Sequence, residues 1–491
     1  MRIPGVTHTF RSRLNPQGGS MKEFIRLLVL LLLLSPRLPA QAPGAPPIAE
    51  ERAKAWLVAF NSGDKAVLKA FLESYRPSAL EHIDDTLEFR ERTGGFELER
   101  AEESTPTRFA ALVKEKDSDQ FARWVVEVEP DEPHRISKLE LRAIPRPAEF
   151  ALPRLSEPDA LAAWTRYLES ETAADRFSGA ALLSKDGKVV FSHAYGMADR
   201  PSKTPNQPNT QFRIGSMNKM FTAVSIMQLV QAGKIQLSDP LGKFLPDYAN
   251  KDVASKVTIE SLLTHTGGTG DIFGPDFDAH RLELRTLEDY VKLYENRGLA
   301  FEPGSRWEYS NYGFILLGVI VEKVSRQSYY DYVREHVFRP AAMTSTDSLP
   351  ENDKVPERSV GYMKQGQGLW QPNTDTLPWR GTSAGGGYST VEDLYRFALA
   401  LENHKLLDAA YTERMTTPEA QRPGGDHYAF GFGVSDDDGM KCIGHGGGAP
   451  GMNGDLKICQ HAGYVIAVLA NLDPPAAQRA STFIADRVPL K

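Results

Sequence analysis

Ser216 and Lys219 stand three residues apart at the head of an apolar run that reaches Val230. On a helix, that spacing places hydroxyl and amine on one face. A serine hydroxyl is a weak nucleophile until a neighbouring base takes its proton. A lysine serves as that base only where burial or nearby charge lowers its pKa. Met220, Phe221, Val224, Ile226, Met227, Leu229 and Val230 cover most of the circumference of such a helix, the pattern of a helix inside a large core. Taken alone, the spacing fits equally well a serine at a helix N-terminus with a lysine in solvent. Its meaning rests on partners elsewhere in the chain.

Two further stretches carry groups of the right chemistry. Tyr309-Ser310-Asn311 lies just ahead of a long apolar run. A phenol beside a lysine ammonium is expected to shift toward phenolate, which would let Tyr309 relay the Ser216 proton to a leaving group. Asn311 offers an amide to orient Lys219 or a substrate. Near the C-terminus comes Gly444-His445-Gly446-Gly447-Gly448. Glycines beside His445 allow close approach to the backbone, and backbone N–H groups there can face an oxyanion.

In this order, S-x-x-K, Y-x-N and [K/H]-x-G resemble the serine penicillin-recognising family of class C β-lactamases, D-alanyl-D-alanine carboxypeptidases and β-lactamase-like esterases. The resemblance spans about residues 159–490. It extends to Leu263-Thr264-His265-Thr266-Gly267-Gly268 and to Gly385-Gly386-Gly387-Tyr388-Ser389-Thr390. It implies an α+β domain with a central antiparallel sheet flanked by helices. It also implies that Ser216 is the acylated nucleophile, that Lys219 and Tyr309 share proton transfer, and that Asn311 positions groups around them. The N–H groups of Ser216 and Gly448 would form the oxyanion hole, with His445, Gly446 and Gly447 along the substrate. No cofactor or metal is implied.

One position departs from the pattern. Members that hydrolyse β-lactams usually carry lysine where this chain has His445. A histidine can be neutral near pH 7 and then holds a substrate carboxylate less firmly. The expectation is therefore a serine hydrolase acting through an acyl-enzyme on small esters or amides, D-amino-acid peptides included. The alternatives are a β-lactamase or penicillin-binding D,D-peptidase, and a non-catalytic binding protein with the same fold. Two decoys are set aside. Gly381-Thr382-Ser383-Ala384-Gly385 has the form of a nucleophile elbow but lacks the strand that must lead into one. Gly446–Gly451 matches G-x-G-x-x-G, but no helix opens after it. His265 lies too early in the chain to replace His445 and is expected to shape a loop near the site.

The elements that must position these residues follow from the period of the apolar pattern. In 159–490 the expected helices are Asp159–Thr172, the Ser216 helix to about Gly233, Thr258–Leu263, Leu287–Tyr294, Asn311–Val324, Val391–Leu401 and Ala476–Arg487. Gly179–Ser184 and Lys188–Tyr195, joined by Asp186-Gly187, read as a hairpin. Met440–His445 and Asp455–Cys459 read as strands bracketing a glycine-rich turn, and Tyr464–Asn471 as a buried strand. Cys442 and Cys459 flank that turn and are candidates for a disulfide in an exported protein. Ahead of this domain, residues 48–144 show helical stretches at Ile48–Phe60, Asp64–Leu72 and Ala79–Arg92, then four alternating strands. That order indicates a small α+β domain and resembles the nuclear-transport-factor-2-like group. Pro145, Pro147, Pro153 and Pro158 mark 145–158 as a linker.

The chain has 491 residues and a net charge of -7, which speaks against nucleic acid as a main partner. Residues 1–42 are basic, with six Lys or Arg against one Glu. Met21, Lys22 and Arg26 precede the apolar run Leu27–Leu34 and then Ala40-Gln41-Ala42, the layout of a secretory signal with an A-x-A cleavage site. That run is too short to span a bilayer. The expected location is periplasmic or secreted, with a small molecule or peptide as substrate. Oligomeric state is not encoded in any pattern here.

Overall fold

The computed structural model describes residues 46–490 apart from 365–368, 424 and 438. The expected signal segment, 21–42, lies outside the described residues.

An eight-stranded antiparallel sheet organises the larger part of the chain. Its order is Ala420–Gln421, His427–Tyr428, Gly433–Asp437, Met440–Ala449, Met452–Cys459, Tyr464–Ala470, Gly179–Lys185 and Lys188–Tyr195. The two ends of this region thus meet in one sheet, where Tyr464–Ala470 pairs with Gly179–Lys185. Both strands are buried on both faces, and alternate residues feed separate cores. Leu182, Ala467 and Leu469 join the helices on one side. Leu183, Ile466 and Val468 join Trp164, Leu168 and Ile484 on the other. Asp186 and Gly187 turn the hairpin with φ of 47° and 73°, the pair of positive φ values that a tight two-residue hairpin requires.

Two helices form the centre of the first core. Asn218–Gln231 is buried nearly all round, from Asn218 to Met227 and again at Leu229. Asn311–Ser325 is capped by Ser310, whose Oγ accepts from Gly313 N at 2.9 Å. The decoy Ser383 is fully buried against this helix. A Cβ at Gly318 would fall 2.2 Å from Ser383 Oγ, so that serine reaches no substrate.

The sequence expectation differs from the structure at the last glycine run. Gly446, Gly447 and Gly448 do not form a turn. They continue the strand Met440–Ala449 and pair with Asp455, Gly454 and Asn453. Side-chain pattern could not reveal this, because glycine carries none of the alternation by which strands are read. The turn falls at Pro450-Gly451, where Gly451 has φ 69°. Cys442 and Cys459 are joined across this strand pair, with Sγ–Sγ 2.00 Å and Cα–Cα 4.1 Å.

Residues 48–144 build a separate core on a four-stranded antiparallel sheet in sequence order, Phe96–Ser104, Arg108–Glu115, Phe121–Val128 and Ile136–Ile144. Helices Ile48–Ser62, Lys65–Tyr75 and Ile83–Thr93 cover it. Asp64 caps the second helix by accepting from Ala66 N and Val67 N. Trp56 stacks on Phe60 at 4.8 Å, and Phe109 meets Trp124 edge-on at 5.8 Å.

This part docks on the C-terminal helix Ala476–Ala485 and the residues just past it. Glu115 pairs with Arg479 at 2.8 Å and Asp119 with Arg487 at 2.7 Å. Arg146, from the proline-rich connector, pairs with Asp486, and both side chains are under a tenth exposed. Removing one member of so buried a pair strands the other charge, at a cost of about 3–5 kcal/mol. Asp486→Ala is accordingly expected to lower stability by about 3 kcal/mol, read as a fall in the urea midpoint. A midpoint equal to wild type would mean that this pair holds nothing together.

Candidate active site

The site forms where the strand Met440–Ala449 passes the single turn Gly215–Met217 that leads into helix Asn218–Gln231. Absent side chains make this approach possible. A Cβ on Gly447 would sit 1.8 Å from Ile214 O, and one on Gly215 would sit 3.1 Å from Gly448 N. A third segment closes in from Gly385–Gly387. Gly386 N donates to Gly215 O at 3.1 Å, and Ile214 N donates to Gly387 O at 3.2 Å.

Lys219 is fully buried. Its Nζ lies 3.3 Å from Ser216 Oγ and 2.7 Å from Asn311 Oδ1, and it also donates to the Ala384 carbonyl. Burial pushes its pKa down to about 7, and the charge of Asp271 works against that fall. A neutral amine has two hydrogens and one lone pair. Asn311 Oδ1 and Ala384 O accept the two hydrogens, so the lone pair faces Ser216. The geometry therefore suits a free-base lysine poised to take the serine proton.

Tyr309 stands beside Ser216, and its ring centroid is 4.7 Å from Lys219 Nζ. The expected drift toward phenolate does not occur. Burial pushes the phenol above its ordinary range, and the neighbouring Ser216 only partly opposes this. Desolvation of the buried phenol outweighs any pull toward phenolate. Tyr309 rests as a proton donor, and Lys219 as the acceptor.

His445 is held in place at both ring nitrogens. Nδ1 is 2.5 Å from Gly446 O and Nε2 is 3.0 Å from Tyr428 Oη. The carbonyl can only accept, so Nδ1 carries the proton and Nε2 takes the Tyr428 hydroxyl hydrogen. Burial, with Lys219 adding to it, pushes the imidazole down to about 3. His445 thus presents no charge at neutral pH. Charge in the cavity comes instead from Arg422 and Lys457, with Asp426 and Asp455 also in the lining, and Arg422 lies over the Trp307 ring at 5.5 Å. His265 sits against two rings at a tilt, with centroids 4.3 Å from Tyr309 and 4.8 Å from Tyr428. Its Nδ1 accepts from Ser310 N at 3.1 Å, which fixes the residue just before Asn311.

Ser216, Tyr309, Arg422, Tyr428, His445 and the glycines 446–448 line one cavity of about 500 Å³. Gln478 and Thr482 of the terminal helix complete its wall. Of the motif residues, Ser216, Tyr309, His445 and the glycines line the cavity, and Lys219 and Asn311 lie buried behind Ser216. Ala384, Asp271, Arg422 and Tyr428 were not singled out. Only Ala384 left a trace in the sequence, the glycine density after it, which signals close backbone approach. Among the described residues no cluster of His, Cys, Asp or Glu could hold a metal ion, and no helix is long and apolar enough to cross a membrane.

A buried lysine beside a serine, a tyrosine next to both and a strand laid along the serine's turn have the arrangement that serine acyl transfer requires. The chain matches the Beta-lactamase family over residues 164–489, and it belongs to that β-lactamase-like serine hydrolase family. It is 34% identical over 260 residues to PbpX of Bacillus subtilis (strain 168), a protein with a penicillin-binding-protein name. That match covers 53% of this chain and 62% of PbpX, so the chain spans about three fifths of that relative's length. A penicillin-binding protein from Bacillus halodurans superposes with a TM-score of 0.59 at 33% identity, over 64% of this chain and 97% of its own. A D-stereospecific amidohydrolase from Streptomyces sp. superposes with a TM-score of 0.56 at 27% identity, over 65% and 96%.

Proposed function

We propose that this chain is an exported serine hydrolase that acts through an acyl-enzyme on small esters or amides, D-amino-acid peptides included. The observation that carries the reading is the Lys219 amine, buried, pushed down to about 7 and hydrogen-bonded so that its lone pair meets Ser216. Lys219 takes the hydroxyl proton as Ser216 Oγ bonds to the acyl carbon. The N–H groups of Ser216 and Gly448 receive the developing oxyanion. As the tetrahedral intermediate collapses, the bond to the leaving group breaks and the Tyr309 phenol gives that group its proton. The Lys219 ammonium then restores the phenol. Water attacks the acyl-enzyme by the same route in reverse order.

Arg422 supports a substrate whose leaving portion carries a carboxylate, a task the uncharged His445 does not perform. This keeps open a second reading, a penicillin-binding D,D-peptidase or β-lactamase, since both take carboxylate-bearing substrates. The similarity to a D-stereospecific amidohydrolase supports the amide and D-configured end of the range. The separate core of residues 48–144 supports a two-domain division with 145–158 between. The leader composition supports export.

The test is intact-protein mass after incubation with a fluorophosphonate and, separately, with benzylpenicillin. A stable adduct with the first, absent in Ser216→Ala, is the expected result. A variant that still forms the adduct, or still hydrolyses p-nitrophenyl butyrate at the wild-type rate, would remove Ser216 from the chemistry. Arg422→Ala is expected to raise KM for a D-alanyl-D-alanine peptide by about tenfold, as for a lost charge-assisted contact, and to leave the neutral ester unaffected. Equal losses on both substrates would argue against a carboxylate role.

A further inference from the structure

Asn311 can be useful to Lys219 in only one of its two amide orientations. With Oδ1 toward the amine it accepts a lysine hydrogen. With Nδ2 there it would donate, and so compete with Ser216 for the lone pair. The choice is made by a residue that no motif contains. Asp271 accepts from Asn311 N with Oδ1 at 3.1 Å and from Asn311 Nδ2 with Oδ2 at 3.1 Å. Asp271 Oδ1 also accepts from Ile272 N at 2.7 Å. One carboxylate thus takes both N–H groups of a single asparagine. The clamp is reinforced from behind, where Ser310 Oγ donates to Gly270 O and His265 Nδ1 holds Ser310 N.

From this clamp we propose that Asp271 is the positioning residue of the site, the group that turns the Asn311 carbonyl oxygen toward Lys219 and keeps the amine lone pair for Ser216. It touches neither Ser216 nor the place of the acyl carbon, and it acts through Asn311. The proposal rests on the reading of Lys219 as base. A carboxylate suits the task because it has no hydrogen to donate, so the Asn311 amide nitrogen must face it. Its place beside the first residue of helix Asn311–Ser325 adds a favourable dipole interaction.

The same carboxylate acts on Lys219 through space. Around the amine stand Asp271, Tyr309, His265, His445 and, farther out, Arg422. His265 and His445 are both pushed well toward neutrality, with Lys219 contributing, and Tyr309 is held protonated by burial. Asp271 is then the group whose negative charge opposes the effect of burial on Lys219. Without it, Lys219 would lose its proton at lower pH.

Asp271→Asn keeps size and shape but removes the charge and replaces one acceptor with a donor. The experiment is the pH dependence of kcat and kcat/KM on p-nitrophenyl butyrate for wild type, Asp271→Asn, Asp271→Glu and Lys219→Met. The expected result is a fall in kcat of about tenfold or more, the scale of a misaligned catalytic group, with KM little changed. The acid limb should move to lower pH by at least about half a unit, and Asp271→Glu should bring the limb back toward wild type. A limb that stays in place in a folded Asp271→Asn protein overturns the proposal, even if kcat falls, because lost packing alone would do that. The Lys219→Met profile separates the two failures. If the acid limb survives in it, the lysine reading is wrong. If the limb is lost in Lys219→Met but unmoved in Asp271→Asn, only the assignment of Asp271 is.

Discussion

Lys219→Met is expected to lower kcat/KM by about a thousandfold, within the range that general acid–base groups supply. Methionine matches the stem of lysine in length and suits a fully buried position, so the core around Met220, Phe221 and Phe314 has no cause to rearrange. What disappears is the acceptor for the Ser216 proton, together with the hydrogens given to Asn311 Oδ1 and Ala384 O. The wild-type pH profile should carry the same signature. With Lys219 at about 7, the amine is an ammonium in acid and a free base in alkali. Activity should therefore rise as pH increases through about 7 and level off above it. The phenol of Tyr309, pushed upward by burial, should impose no limb between pH 7 and 9. Stopped-flow acylation across pH 5–9 tests this. A rate that is flat through pH 7, or one that falls with rising pH, contradicts a neutral lysine as base.

Gly447→Ala should be nearly as damaging although it changes no reactive group. The added methyl would lie 1.8 Å from Ile214 O and 3.1 Å from Met217 Cγ. Backbone cannot yield there without moving the strand off the turn that carries Ser216. The Gly448 N–H, proposed above as an oxyanion donor with the Ser216 N–H, would then shift, and the loss of one such donor costs about 100- to 1,000-fold in kcat. Gly446→Ala provides the contrast. Its methyl would meet Gln478 Nε2 at 2.9 Å, the end of a side chain that can swing away, so its kcat should fall by far less. Similar kcat values for the two variants would show that strand position does not govern the oxyanion site.

The contrast between these glycines also explains what could be read in advance. Ser216 and Lys219 were legible because helical spacing alone sets their proximity, and the helix around them is apolar on every side. The hairpin at Asp186-Gly187 was legible because two positive φ values demand that dipeptide. Gly446–Gly448 were read as a turn because a strand announces itself through alternating side chains, and these residues have none. Tyr309 lies beside Ser216 and Lys219, but a phenolate there would need a charged lysine. Only burial, a property of the assembled core, shows that the lysine is driven toward neutrality. Asp271, Arg422 and Tyr428 reach the site from loops and short strands whose distance in sequence from Ser216 carries no periodic signal.

The terminal helix Ala476–Ala485 faces two ways. Gln478 and Thr482 form part of the catalytic wall, and Ala477 N donates to Asn453 Oδ1 at 2.6 Å. Asn453 pairs with Gly448 in the sheet and donates through Nδ2 to Gly447 O at 2.9 Å. On the other side, Arg479 and Arg487 are neutralised by Glu115 and Asp119. A helix that lies within the family-matched region thus does double duty as the keel on which residues 48–144 ride. Excising those residues would bare two arginines on the back of the catalytic wall. The helix would then carry two uncompensated charges on its far face, even with every residue that lines the cavity retained. An isolated 157–490 fragment would therefore differ from the whole chain in the charge balance of the helix that walls the cavity.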